Sequence, residues 1–155
     1  METAIVSDIV HNITYTAQKN KGAFKNDKKI TPSKTVNLED AVIGLDLNTI
    51  KLEEIVSKLG NLFKVGKHFR HFGANAQEIC YVADGSTDAF IDVRGKLRVT
   101  DMVASYLILR EAGGIIVTPE GEELNVALSA TQRLSFIAAS NKKLYEAIKD
   151  ALNNG

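Results

Sequence analysis

Ala41 to Leu47 (AVIGLDL) is a nearly continuous apolar run broken by one aspartate. Such a run suits a strand covered on both faces, and that strand needs helices above and below its sheet. The flanking sequence supplies them. Leu52, Ile55, Val56, Leu59 and Phe63 recur at helical spacing, predicting one amphipathic helix from Thr49 to about Lys64, capped by Asn48 or Thr49. His68 to Phe72 reads as a short strand ending at Gly73, Ala74 to Ala83 as a helix closed by Gly85, and Ala89 to Val93 as a strand. A helix capped near Asp101 runs to Gly113-Gly114; strands follow at Ile115 to Thr118 and Ser135 to Ala139. A last helix, capped by Ser140 or Asn141, reaches about Leu152. The alternation predicts an α/β class with a mixed, partly parallel sheet flanked by helices.

Ahead of this lies a different pattern. Ala4 to Asp8 and Ile13 to Ala17 are β-favouring runs around His11-Asn12, which reads as a hairpin. Lys19 to Lys34 is polar, carries six lysines and turns at Asn26-Asp27, reading as a solvated hairpin rather than a phosphate-attracting rim. Because the chain opens almost inside a strand, residues 1–34 are expected to be a β-hairpin segment at the junction with a further, N-terminal domain. Residues 35–155 are expected to form the C-terminal α/β domain.

Lysine plus arginine (19) balance aspartate plus glutamate (19), which argues against a nucleic-acid or acidic-membrane partner. No apolar run approaches the ~20 residues of a membrane span, and the N-terminus lacks a signal-peptide pattern. Cys80 is the only cysteine, so no intrachain disulfide forms and a reducing, cytoplasmic setting is expected.

No Gly-x-x-x-x-Gly-Lys loop, Gly-x-Ser-x-Gly elbow or cysteine/histidine cluster occurs. His68 and His71, at i and i+3 in a strand, point to opposite faces, against a shared metal site. The sharper cluster is Asp92 to Asp101, with two carboxylates and three cations between a strand end and a helix start. Ligands gather at such places, and an acid there suits a hard cation with oxygen ligands. On pattern alone Asp101 reads first as an N-cap, with metal ligation as the alternative.

Several stretches, in order, resemble the inositol monophosphatase and archaeal fructose-1,6-bisphosphatase superfamily. Val99-Thr100-Asp101-Met102-Val103-Ala104-Ser105, then Glu111-Ala112-Gly113-Gly114, is similar to that family's Trp-Asp-x-Ala-Ala-Gly motif and its Glu-Ala-Gly-Gly helix end. Thr100 replaces the tryptophan, as in archaeal members. Ala4 to Asp8 and Lys21 to Asn26 resemble the Gly-Val-Val-Tyr-Asp strand and the Gly-x-Gly-Ala-Phe-x-Asn hairpin. Arg70 to Ala76, Cys80 to Gly85 with Asp88-Ala89-Phe90, and Ile137 to Asn141 match further motifs. The resemblance covers essentially the whole chain.

What the resemblance implies is the C-terminal half of a layered αβαβα sugar-phosphatase fold in a Mg²⁺-dependent phosphomonoesterase. It implies Asp101 as the metal ligand from this half and Asn75 beside the substrate. It implies Asp92 near the acid that binds a substrate hydroxyl. Arg70, Arg94 and Arg98 are candidates to steer a second phosphate, with ion pairing or packing as the alternative for each. Tyr81 and Cys80 read as core. The family's first metal-binding glutamate and its Asp-Pro-Ile/Leu-Asp-Gly-Thr motif lie upstream of the hairpin, and these residues contain neither. The chain is therefore expected to be inactive alone, to serve a small phosphorylated substrate in its complete form, and to associate as a homo-oligomer such as a dimer. Inositol phosphate, fructose bisphosphate, an adenosine bisphosphate and NADP all stay open as substrates. A non-catalytic binding or regulatory module of the extragenic-suppressor type is the other reading.

Overall fold

Strands β1 (Thr3–Asp8), β2 (Ile13–Gln18), β3 (Gly22–Lys25) and β4 (Lys28–Lys29) form an antiparallel sheet in the order β1-β2-β3-β4. They belong to a computed structural model that describes residues 1–129 and 131–153. The alternation of each strand decides its faces: Ala4, Tyr15, Ala17 and Ala23 point inward and are buried, while Ile5 points out and is 62% exposed. Asn26 and Asp27 both take positive φ, the conformation a two-residue hairpin turn requires and these residue types tolerate. The expected hairpins are present, and both belong to this one sheet.

The second sheet has the order β6-β5-β7-β9-β8, from β5 (Val42–Leu45), β6 (His68–Arg70), β7 (Ala89–Arg98), β8 (Ile115–Val117) and β9 (Arg133–Ala139). β5 pairs in parallel with β6 and β7, whereas β7, β9 and β8 pair antiparallel. The sheet is mixed and partly parallel, as the sequence predicts. Helices α3 (Asn75–Ala83) and α4 (Val103–Ala112) lie between the two sheets, and α1 (Leu52–Lys58), α2 (Gly60–Val65) and α5 (Lys142–Asn153) cover the far face.

Two cores follow from this layering. Ile79, Val82, Ile108 and Leu109 of the middle helices meet Tyr15 and Ala17 on one side and Phe90 and Phe136 on the other. Ile55, Leu62, Leu144 and Ile148 meet Ile43, Ile91 and Ile137 across the second sheet. Neighbouring β7 residues thus serve opposite cores, Phe90 one and Ile91 the other, and each such side chain contributes about 1.5–3 kcal/mol on burial. Gly44 is a steric necessity: a Cβ there would stand 2.9 Å from both Glu78 Oε2 and Phe90 Cδ2, forcing α3 away from β5.

Several boundaries differ from the sequence reading. The single helix expected over 49–64 is two, parted at Leu59 (φ −89°, ψ 0°), although the Leu59 N–H still donates to the Ile55 carbonyl and the Phe63 N–H to the Leu59 carbonyl, both at 3.0 Å. Leu59 and Leu62, three positions apart and so on one face, both reach the core. β6 stops at Arg70, so His71 lies beyond the strand and its Nδ1 pairs with the Leu45 carbonyl at 2.8 Å. β7 does not end at Val93 but runs on to Arg98 through a bulge in which Val93 to Lys96 face the single residue Ser135. Gly95, at φ +64°, permits the bulge. β9 likewise begins two residues early, at Arg133. Gly113 ends α4 in the left-handed conformation as expected, and Asn141 caps α5 by accepting the Leu144 N–H at 3.0 Å. No helix among the described residues is long and apolar enough to cross a membrane.

Candidate functional site

The end of β1, the N-terminus of α3 and the 3₁₀ turn Val99–Asp101 enclose a cleft of about 420 Å³. Asp101, Thr100, Asn75, Gln77 and Asp8 line it. Residues far apart in sequence meet here because β1 packs on the middle helices, which also bring the turn before α4 beside the start of α3.

Asp101 does not cap α4. The residue at the cap position is Met102, with no side-chain hydrogen bond, and Asp101 lies in the preceding 3₁₀ turn. Its carboxylate is taken instead by Arg98, whose Nε donates to Oδ2 at 2.9 Å and Nη2 to Oδ1 at 3.1 Å. The expectation of a capping carboxylate is corrected by this pair: an arginine three residues earlier offers a charge-assisted fork that outcompetes a neutral backbone N–H. Arg98 in turn has its guanidinium held above its usual range by Asp101.

Asn75 reaches inward rather than across the cleft. Its Nδ2 donates to Asp46 Oδ2 at 3.0 Å, and its Oδ1 is buried with no donor among the described residues. Asp46 belongs to a buried charge cluster with Asp92 and Arg94. Arg94 Nη2 lies 2.6 Å from Asp46 Oδ2 and 2.7 Å from Asp92 Oδ2, and Nε donates to Asp92 Oδ1 at 2.9 Å. The Arg94 side chain is only 8% exposed. Asp92 and Arg94 therefore meet each other and Asp46 but do not line the cleft. One cation shared by two carboxylates leaves the group net negative, and hydrogen bonds from Asn75 and the Arg94 backbone offset part of that. Arg70 is exposed at the end of β6, donates to the neighbouring Phe69 carbonyl at 2.8 Å, and also stands outside the cleft.

The turn that presents Asn75 is fixed from below by Glu78. Its Oε1 accepts the N–H groups of Gly73 at 3.0 Å and Ala74 at 3.3 Å, satisfying donors at the start of α3. Burial holds the Glu78 carboxyl above the usual range. At the other wall Asp8 accepts from the His11 backbone and from Gln77 Nε2, at 3.1 and 2.6 Å, and pairs with His11 Nδ1 at 2.7 Å. The His11 side chain holds the Asp8 carboxyl below its usual range.

Sequence reasoning brought Asn75 and Asp101 to one place and missed Asp8, Gln77, Asp46 and Glu78. Signals were present for Asp46, an acid inside an apolar run, and for Asp8, the last residue of a stretch that resembles a family motif; nothing at Gln77 distinguishes it from an ordinary surface residue. As for a metal, no three His, Cys, Asp or Glu side chains converge to hold an ion among the described residues. The Asp101 carboxylate at the cleft is of the oxygen-donor type a hard cation takes, but these residues alone do not make a metal centre.

Comparison with known proteins bears on the family and the fold. The model of the inositol monophosphatase family matches residues 1–154. A fructose-1,6-bisphosphatase/inositol-1-monophosphatase of Methanocaldococcus jannaschii is 41% identical over 139 residues, covering 89% of this chain and 52% of that protein. A bifunctional NADP phosphatase/NAD kinase of Methanococcus maripaludis is 37% identical over 99% of this chain and 27% of its own length. The crystal structure of the extragenic suppressor protein suhB from Bartonella henselae superposes with a TM-score of 0.87 at 28% identity, covering 99% of this chain and 57% of that one. The chain thus spans about half the length of the first and third of these relatives, and about a quarter of the second. It belongs to the inositol monophosphatase family.

Proposed function

We propose that the chain is the substrate-side half of a Mg²⁺-dependent phosphomonoesterase acting on inositol monophosphate or fructose 1,6-bisphosphate. The observation that carries this reading is the cleft in which Asp101 and the Asn75 turn face one another. In the complete enzyme Asp101 contributes one oxygen to the metal centre, and the other ligands come from outside these residues. Mg²⁺ supplies charge neutralisation on the phosphoryl group and activation of the attacking water. Asn75 shapes the cleft wall at the start of α3, its Nδ2 held by Asp46 and its Oδ1 buried beneath the surface the substrate meets. Asp46, Asp92 and Arg94 hold Asn75 from behind and do not touch substrate, which revises the roles the resemblance implies for Asp92 and Arg94. Were Asp101 to hold a metal ion, Arg98, its present partner, would be left to face a phosphate with its cation. Arg70 contacts only a substrate long enough to leave the cleft.

Phosphate release is the test, measured on the chain alone and mixed with the N-terminal half of the Methanocaldococcus relative. Expected are no turnover alone, Mg²⁺-dependent turnover on complementation, and a loss of about 10²-fold or more in Asp101→Asn. Turnover by the chain alone would refute the division of labour, and full activity of complemented Asp101→Asn would remove its ligand role.

A further inference from the structure

Behind the cleft wall, two buried acceptors one helical turn apart have no donor. Asn75 Oδ1 and Glu78 Oε2, at i and i+3 in the first turn of α3, are shut off from solvent and meet no N–H or O–H among the described residues. A buried acceptor left unpaired is costly, and two at one place call for a donor. Glu78 as a whole is 2% exposed. Its hydrogen bonds fall on one oxygen: Oε1 accepts the Gly73 and Ala74 N–H groups at 3.0 and 3.3 Å, and Oε2 accepts none.

Glu78 also forms no ion pair among the described residues. Asp46, just past β5, and His71, just past β6, are the charged or titratable neighbours that act on it most. Asp46 is itself an acid, and His71 Nδ1 is taken by the Leu45 carbonyl. The elements packed on α3 offer no free cation either. β7 brings Asp92 and Arg94, closed on each other and on Asp46, and β1 brings Asp8, closed on His11 and Gln77. α4 carries Glu111, which holds the β2–β3 turn, and Arg110, 4.0 Å from Glu123; β9 carries Arg133 only at its far end, and α3 itself adds Tyr81. A carboxylate at Glu78 would therefore add a second acid charge beside Asp46 with no cation of its own. A metal ion is no substitute, since no three acids converge there among the described residues and a Cβ on Gly44 would already stand 2.9 Å from Oε2. The neutral acid answers both problems, because it removes the charge and puts on Oε2 the donor that the two acceptors lack. We infer that Glu78 is held as the neutral acid, its proton on Oε2 offered to Asn75 Oδ1, and that losing this proton loosens the Gly73–Asn75 turn that walls the cleft. Deprotonation removes the link to Asn75 and sets a like charge against Asp46. Burial, which holds the Glu78 carboxyl above the usual range, acts in the same direction. The device lies in the cleft wall, and it stands whether or not the cleft serves a phosphatase.

The test is a pH series of ¹³C and ¹H–¹⁵N spectra on the uniformly labelled chain. Glu78 Cδ should titrate above the ~4.3 of ordinary glutamates, with Asn75 Cγ and the Gly73 and Ala74 amides shifting at the same midpoint. Glu78→Gln, neutral at every pH with both a donor and an acceptor, should hold those amides still over that range. His71→Gln should keep the midpoint, which separates it from titration of the imidazole. A Glu78 midpoint at or below the ordinary value would overturn the inference on the wild type alone, whatever the variants do. An Asn75 Cγ that stays still while Glu78 titrates would overturn the link between them. Turn amides that stay still in the wild type, or move equally in Glu78→Gln, would overturn the control of the turn.

Discussion

Arg98 closes on Asp101 with a two-point fork, Nε and Nη2 each finding one carboxylate oxygen. A cation entering the cleft must compete with a guanidinium already in place. Manganese(II), a paramagnetic stand-in for Mg²⁺, should therefore broaden the amides around Asp101 weakly in the wild type and more strongly in Arg98→Ala. Asp101→Asn should abolish the effect. Equal broadening in all three proteins would mean that Asp101 does not ligate. Because the pair is exposed, the melting temperature of Arg98→Ala should hardly move.

Glu111 joins the end of α4 to the β2–β3 turn: Oε1 accepts the Asn20 N–H and Oε2 the Gly22 N–H, both at 2.9 Å. Those backbone donors hold its carboxyl below the usual glutamate range. A depressed folded pKa means stability that is complete above the unfolded value, ~4.3, and lost as pH falls through the folded one. Glu111→Gln should cost about 1 kcal/mol at neutral pH, ~2–4 °C in melting temperature, after allowance for solvent at the turn. The difference between the two proteins should close in acid. A gap that stays constant with pH would show that the charge is irrelevant.

Glu78 has the opposite sign. Burial raises its carboxyl, with Asp46 adding to the effect, while the Ala74 and Gly73 N–H groups pull it back. A group that binds its proton more tightly when folded contributes most below its unfolded pKa, ~4.3, and less as pH rises through the folded value. Glu78→Gln keeps an acceptor for the turn and removes the buried charge. It should gain on the wild type as pH rises toward neutrality, measured by urea unfolding across a pH series. Parallel profiles would place Glu78's charge outside the stability balance.

Behind the cleft, Asp84 is held by Lys25 Nζ at 2.6 Å and the Tyr15 hydroxyl at 2.8 Å. Burial pushes the Asp84 carboxyl up, but the Lys25, Ser86 and Tyr15 donors outweigh it and keep it low. Lys25→Met leaves a buried carboxylate without its cation and should cost about 2 kcal/mol, below the usual range for buried pairs because Lys25 is partly exposed. Adding Asp84→Asn should return most of that loss. A double variant as unstable as the single one would argue against the ion pair.

Where residue chemistry and backbone period agree, the sequence was readable. The centre of AVIGLDL, Val42–Leu45, forms β5, the Gly113-Gly114 stop ends α4, and Asn141 caps α5. The failures share a cause: one signal was outbid by another contact, near or far along the chain. Gly95 looks like the end of a strand, yet β9 draws the chain on through Leu97 and Arg98. Asp101 looks like a cap until Arg98 is placed beside it. The role of Arg94 was hidden because its partner Asp46 lies just past the end of β5, far away in sequence. Asn75 and Asp101 were found because motif resemblance carries spatial information that periodicity lacks.

The order of layers also has a cost in time. The inner face of the first sheet is made by residues of β1, β2 and β3, but α3 and α4, which cover it, come much later in sequence. Glu111 follows Gly22 by 89 positions. At translation speeds of ~5–20 residues per second, Tyr15 and its apolar neighbours wait roughly 4–18 s for their cover, a pause in which a nascent chain depends on chaperones or on its own hairpins holding together.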